Sequence, residues 1–148
     1  MSTDTDWRSH ILTSDADVRA LLERSVTIAV LGIKPDPAQP AHYVPAYAQK
    51  AGYKIIPVPV YYPEMIEVLG EPVYRSLAAV PGDVDIVDVF RRPGDIPKHV
   101  DDIIAKCPRA VWFQLGIRND EAAETLARAG IDVVQDLCLL VELRRIGK

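Results

Sequence analysis

The stretch that most constrains this chain is residues 26–52, VTIAVLGIKPDPAQPAHYVPAYAQKAG, where an apolar run stops at a glycine, a proline-broken loop follows and a helix begins. A strand buried on both faces shows as a continuous β-branched run rather than an alternation, and Val26, Thr27, Ile28, Ala29, Val30 and Leu31 form such a run. Gly32 lets the backbone turn and lie close to a ligand, because it carries no Cβ. Proline is harmless only in the first helical turn, where its missing N–H has no intrahelical partner. Pro45 therefore predicts a helix beginning no more than about four residues earlier, at 41–43. Tyr47, Ala48 and Ala51 continue it, and Gly52 suits the left-handed position past its end.

The rest of the chain repeats this alternation. Ser14 as N-cap, Asp15 and Asp17 in the first turn and an apolar face of Val18, Leu21 and Leu22 predict a helix over 15–24. Residues 53–60, YKIIPVPV, read as a second strand whose pairing Pro57 and Pro59 should end. An irregular segment over 61–69, a short strand at 72–74 and a brief helix capped by Ser76, with Leu77 and Val80 inward, complete that crossover. A third strand covers 84–90, VDIVDVF, and Asp95 is the expected cap of a helix over 96–106 with Val100, Ile103 and Ile104 on one side. Residues 109–113 form another strand, Asn119 caps a helix through Ala129, Gly130 follows it, 131–134 is the last strand and 137–146 a closing helix. This order predicts an α/β fold: an open doubly wound parallel sheet of about five strands, Rossmann-like, in three α/β/α layers. A single domain over residues 1–148 is expected, with 1–13 a loosely docked N-terminal segment.

At 148 residues, with 49% apolar and 26% charged residues, the chain can bury a sizeable core without staples. Its net charge of −4 argues against a general nucleic-acid or membrane-surface binder. Cys107 and Cys138 fit no metal or redox spacing, so reduced, partly buried thiols are expected. The opening MSTDTDWRSH has no apolar leader core, and no run reaches the ~18 apolar residues of a membrane span. A cytoplasmic location is the resulting expectation.

Parallel α/β sheets bind ligands at the carboxyl ends of the strands, where strand order reverses. Here the flanking loops are 32–40 and 90–94. One offers a glycine turn and Lys34 ahead of a helix N-terminus, the other Arg91 and Arg92, a pairing suited to an anion. The alternative is a solvated arginine pair balancing Asp88 or a nearby carboxylate. Gly-x-x-x-x-Gly-Lys-Ser/Thr is absent, which disfavours a nucleoside triphosphate, and Gly-x-Gly-x-x-Gly is absent too. Pro57, Val58 and Pro59 stand where an NAD site places an acidic residue. Prolines 35, 37 and 40 remove three N–H donors from the first loop, so Lys34 and the arginines must supply more of the charge.

These pieces together resemble the stand-alone CoA-binding-domain proteins, which are similar to the N-terminal CoA-binding domain of the succinyl-CoA synthetase α subunit. The matching segments are IAVLGIKPDPAQPAHYV, AGYKIIPV, LGEPVYRSLAAVP, VDIVDVFRRP, VWFQLGIRNDEAAETLARAG and VVQDLCLLVE, in order over residues 27–142. The resemblance implies a coenzyme A or acyl-CoA site in which Gly32, Ile33, Lys34, Pro35 and Asp36 wrap the phosphates and Val58 and Pro59 pack near the adenine. It further implies that Phe90, Arg91 and Arg92 contact the nucleotide or the start of the pantetheine arm, and that Gln114, Leu115 and Gly116 line the far side. Family members often carry an asparagine between valine and proline where Val58-Pro59-Val60 stands here. Many also carry an arginine and a lysine around the late cysteine, where Leu137 and Leu140 stand. The second departure weakens a functional role for Cys138.

The related ligase needs a domain with a phosphorylated histidine and a partner subunit with a nucleotide site, and this chain is too short for either. His10, His42 and His99 fall in no metal or triad spacing and read as surface or helix-end residues, His42 drawing attention by its place beside the loop. No Gly-x-Ser-x-Gly or Cys-x-x-Cys occurs, and Asp36 is expected to fix the loop. The expectation is a non-catalytic protein that binds CoA or an acyl-CoA. An NAD(H)-binding redox sensor or small oxidoreductase, and a partner subunit of an acyl-CoA ligase-type complex, are the alternatives.

Overall fold

The computed structural model describes residues 6–148. Five parallel strands form the main sheet: β1 Thr27–Leu31, β2 Lys54–Val58, β5 Ile86–Val89, β6 Ala110–Phe113 and β7 Asp132–Val134, in the order β2-β1-β5-β6-β7. A separate two-stranded antiparallel hairpin, β3 Glu67–Val68 with β4 Glu71–Pro72, lies in the crossover from β2 to β5. The order reverses between β1 and β5, so their carboxyl ends open a crevice.

The helices are α1 Asp15–Arg24, α2 Pro40–Lys50, α3 Val100–Lys106, α4 Asp120–Arg128 and α5 Leu139–Arg145. Ile28, Val30, Ile86, Ala110 and Trp112 face α1, α2 and α5, and pack with Leu21, Leu22, Val44, Ala48, Leu139 and Leu143. Ala29, Leu31, Val87, Val89, Val111 and Phe113 face α3 and α4, and pack with Ile103, Ala123 and Leu126. Both faces of the central strands are therefore buried, which is why β1 and β6 read as apolar runs and β5 does so apart from Asp88.

Several local expectations change. α2 starts at Pro40, one residue before the predicted range, so Pro45 is its sixth residue. The donor Pro45 lacks would have bonded the Ala41 carbonyl; the Lys34 N–H takes that carbonyl instead, at 3.3 Å. The second strand is shorter than 53–60, yet it pairs through Pro57 and Val58, opposite Val30 and Leu31. Since β2 is an edge strand and the Pro57 carbonyl accepts the Tyr74 N–H on the outer side, the missing donor lies away from β1. Ser76 caps a turn, its hydroxyl accepting the Ala79 N–H, where a brief helix was expected; Leu77 and Val80 are buried as predicted. Residues 93–99 form a 3₁₀ turn, with Pro97 inside it, that leads into α3, so Asp95 lies within the turn and is not a helix cap: it lies 3.8 Å from Arg91 and 3.4 Å from Lys98. Of the segment expected to dock loosely, residues 1–5 lie outside the described ones. Residues 6–10 form a 3₁₀ turn and Ile11 then bridges Val133 at the sheet edge, with His10 Nδ1 2.7 Å from the Asp132 carboxylate.

Asp88 is fully buried on β5, between Val30 and Trp112, and neither carboxylate oxygen has a partner. Burial pushes its pKa well above the ordinary carboxylate range. The folded state thus holds a proton that the unfolded chain releases above about pH 4, so this residue costs stability increasingly as pH rises from there. Asp88→Val should raise the melting temperature at pH 7 by about 3 °C or more, consistent with relief of about 1–3 kcal/mol from an unsatisfied buried group. Calorimetry of both proteins should show the gap narrowing as the pH is lowered to about 4.

Candidate functional site

Two adjoining clefts occupy the carboxyl ends of β1, β5 and β6. The larger, about 480 Å³, lies between the start of α2, residues 90–93 and residues 114–117, with Cys138 in its wall. The smaller, about 190 Å³, lies between residues 32–34, residues 60–62, residues 90–92 and Asp95. Lys34, Phe90, Arg91 and Arg92 line both, so a cationic ridge joins the two lobes.

The ridge is positioned by the backbone. Gly32 has φ +94°, and a Cβ built there would stand 2.5 Å from the Phe90 carbonyl oxygen. Gly32 N–H donates to Val58 O at 2.9 Å, and Phe90 N–H donates to Leu31 O at 2.9 Å, fastening three strand ends together. Beyond it, the Asp36 carboxylate accepts the Ala38 N–H at 2.9 Å and the Asp36 carbonyl accepts the Gln39 N–H, so this residue fixes the loop as expected. His42 Nδ1 donates to the Lys34 carbonyl at 2.9 Å, since a carbonyl can only accept, and ties the loop to α2.

The two arginines differ. Arg91 is only 8% exposed; its Nε–H donates to His99 Nε2 at 3.1 Å, and its guanidinium lies 5.3 Å from the centre of the Tyr61 ring. Because the guanidinium is always a donor, His99 must offer a lone pair and is neutral in this arrangement. Burial, then the charges of Arg91 and Lys98, holds the His99 pKa below its ordinary value. The same guanidinium beside Tyr61 lowers the pKa of that hydroxyl. Arg92 is exposed, and among the described residues its side chain, like that of Lys34, makes no hydrogen bond or ion pair. The carboxylate beside Arg91 is Asp95, and Asp88 pairs with neither arginine.

On the far side, Gln114 is 4% exposed and its Oε1 accepts the Leu139 N–H at 3.0 Å. Gly116 N–H donates to the Asp136 carboxylate at 2.6 Å, and Leu115 stands 66% exposed at the rim. Among the described residues no cluster of three or more His, Cys, Asp or Glu side chains could hold a metal ion, and no helix is long and apolar enough to cross a membrane.

Of the residues expected at the site, Gly32, Ile33, Lys34, Phe90, Arg91, Arg92, Gln114 and Gly116 line the clefts. Pro35 and Asp36 are exposed and line neither, because the loop turns away to reach α2. Val58 and Pro59 are buried and line neither; Val60, Tyr61 and Tyr62 take their place, since the chain needs further residues past the end of β2 to reach the crevice. The Arg75 guanidinium holds that wall, donating to the carbonyls of Tyr61, Tyr62, Pro63 and Met65. Sequence reasoning missed Tyr61, His99, Tyr43 and Ile117. The doubled tyrosine straight after the proline-marked strand was the available signal for the first.

A protein-family model described as a CoA binding domain matches residues 26–144. The chain belongs to the CoA-binding domain family. This CoA-binding domain is 38% identical over 128 residues to the uncharacterized protein YneT of Bacillus subtilis (strain 168), a match covering 86% of this chain and 93% of YneT. It is similar to a solved Thermus thermophilus protein, cell-free ID.343, at 43% identity with TM-score 0.84, over 90% of this chain and 99% of that one. The fold also occurs in the dinucleotide-forming acetyl-coenzyme A synthetase 1 of Ca. Korarchaeum cryptofilum, at 21% identity with TM-score 0.64, over 79% of this chain and 26% of that one.

Gly32→Ala combines an unfavourable φ with a clash against rigid backbone. The variant should lose about 2 kcal/mol or more in urea unfolding. A substitution of Gly82, whose added Cβ would meet nothing, carries the φ strain alone and should cost less.

Proposed function

We propose that this protein binds coenzyme A or an acyl-CoA in the two-lobed crevice and does so without catalysis of its own. The observation that carries the proposal is the cationic ridge of Lys34, Arg91 and Arg92 at the joint between the lobes. A CoA molecule has its phosphates between an aromatic base and a long, mostly apolar arm. The ridge suits the phosphates, with Lys34 and Arg92 uncommitted to any protein partner. The smaller lobe, between Tyr61, Tyr62 and Phe90, suits the adenine. The larger lobe, edged by Tyr43, Val44, Leu115 and Ile117, suits the arm. Family membership and the missing dinucleotide fingerprint support the same ligand over NAD.

A binding role is supported by the duties of the acid–base candidates near the crevice. His99 accepts from Arg91, His42 donates to the loop carbonyl and Asp36 holds Ala38, so each maintains structure.

Isothermal titration with CoA should give one site per chain, and an absence of heat at millimolar ligand would overturn the proposal. Arg92→Ala should weaken binding about tenfold with little change in melting temperature, the loss expected for one charge-assisted hydrogen bond of about 1.5 kcal/mol. Affinity should also fall as salt is raised from about 0.05 to 0.5 M, because the ridge is partly exposed.

A further inference from the structure

Arg91 borders both lobes, so whatever fixes its side chain decides the shape of the joint between them. Three groups meet its guanidinium, and they are unequal. Asp95 stands 3.8 Å away, beyond hydrogen-bond length, and Tyr61 presents its ring face from a side chain that is 60% exposed. The bond from Arg91 Nε–H to His99 Nε2, at 3.1 Å, is the directional one, and His99 is half-buried where the 3₁₀ turn passes into α3. That bond needs the lone pair of a neutral imidazole, because a guanidinium has donors only. Protonation puts an N–H and a positive charge on the atom that now accepts, and the bond cannot survive it.

We infer that His99 is a positioning residue for the ligand site: while neutral it holds Arg91 as the wall of the smaller lobe, and on taking up a proton it releases Arg91 and weakens ligand binding. The inference rests on the CoA reading and adds a proton-dependent control to it. The charges facing His99 come from each neighbouring element. Arg91 at the end of β5 and Lys98 in the 3₁₀ turn oppose its protonation, while Asp102 in α3 and Asp95 in the turn favour it. Both carboxylates are engaged elsewhere, Asp95 with Arg91 and Lys98, and Asp102 in accepting the Leu77 N–H at 3.0 Å. Burial and the two cations prevail and hold His99 below its ordinary pKa. His99 is therefore neutral at pH 7 and gains its proton only in acid. Lys34 and Arg92 make no hydrogen bond to His99 among the described residues, so they still attract the phosphates when Arg91 is released. Binding weakens without vanishing.

Calorimetric titrations with CoA from about pH 7.5 down to about pH 5 should compare the wild type with His99→Gln and His99→Leu. Glutamine offers an acceptor that does not titrate, and leucine offers none. At about pH 7.5 His99→Leu should bind about tenfold more weakly than the wild type, and His99→Gln should recover most of that loss. The terminal phosphate of CoA titrates near about pH 6 and weakens binding alike in all three, so the difference between proteins decides. By about pH 5 the wild type should have lost at least about threefold more affinity than His99→Gln, as the binding-competent fraction falls with protonation. Parallel profiles, or a wild type that gains affinity in acid, overturn the inference and leave the CoA reading standing; this comparison decides alone if His99→Leu fails to fold. An absence of CoA heat overturns the CoA reading, and the hold on Arg91 is then read from its Nε–H resonance in ligand-free protein. That signal should be lost by about pH 5 in the wild type and kept in His99→Gln, and its persistence in both overturns the inference as well.

Discussion

The crevice depends on one close approach, that of the Gly32 backbone to the Phe90 carbonyl. β1 and β5 run side by side in parallel register, and beyond Leu31 and Val89 their chains must separate to opposite faces of the sheet. They part around a glycine because a Cβ would meet the Phe90 oxygen at 2.5 Å. With no side chain in the way, Phe90 N–H still reaches Leu31 O and Gly32 N–H still reaches Val58 O. Lys34 lies two residues past one partner of this contact, and Arg91 and Arg92 directly follow the other. The spacing of the three cations is therefore set by backbone geometry at the switch point, before any of their side chains acts.

The prolines around this contact stiffen the loop while their missing donors are accommodated one by one. Pro40 opens α2, where a helix has no use for the N–H. Pro45 leaves the Ala41 carbonyl without its helical donor, and Lys34 N–H fills the vacancy. The defect in the helix thus becomes the tether that holds the cationic loop against it, reinforced by His42 on the Lys34 carbonyl. Fixed φ angles also reduce the freedom of the unfolded chain, so a loop with few regular hydrogen bonds stays ordered at lower entropic cost.

The layered fold was legible because β1, β5 and β6 are buried on both faces and announce themselves as largely apolar runs, while Ser14 and Asn119 cap α1 and α4 through their side chains. Proline was the harder residue to interpret. Its local rules placed the start of α2 one residue late and did not anticipate that β2 pairs through Pro57, since whether a missing N–H matters depends on which side of a strand or helix it would have faced. The site was legible where it follows directly from strand ends, at Gly32, Phe90, Arg91, Arg92 and Gln114. It was not legible where a loop folds back, as Tyr61 does under the hold of Arg75, or where a helix brings in a distant group, as residues 93–99 bring in His99.

The adjacent arginines show how burial divides labour between chemically identical residues. A buried guanidinium needs partners, and Arg91 has three in Tyr61, His99 and Asp95. Those partners come from the loop after β2 and from the 3₁₀ turn, so Arg91 binds both walls of the smaller lobe to the end of β5. Its charge is already shared with Asp95, which leaves it less to offer an incoming anion. Arg92 has water where Arg91 has protein, and an anion displacing that water gains the whole of its charge. The inner arginine builds the lobe and the outer one is free to meet the ligand, so truncating each should injure a different property: folding for the first, affinity for the second.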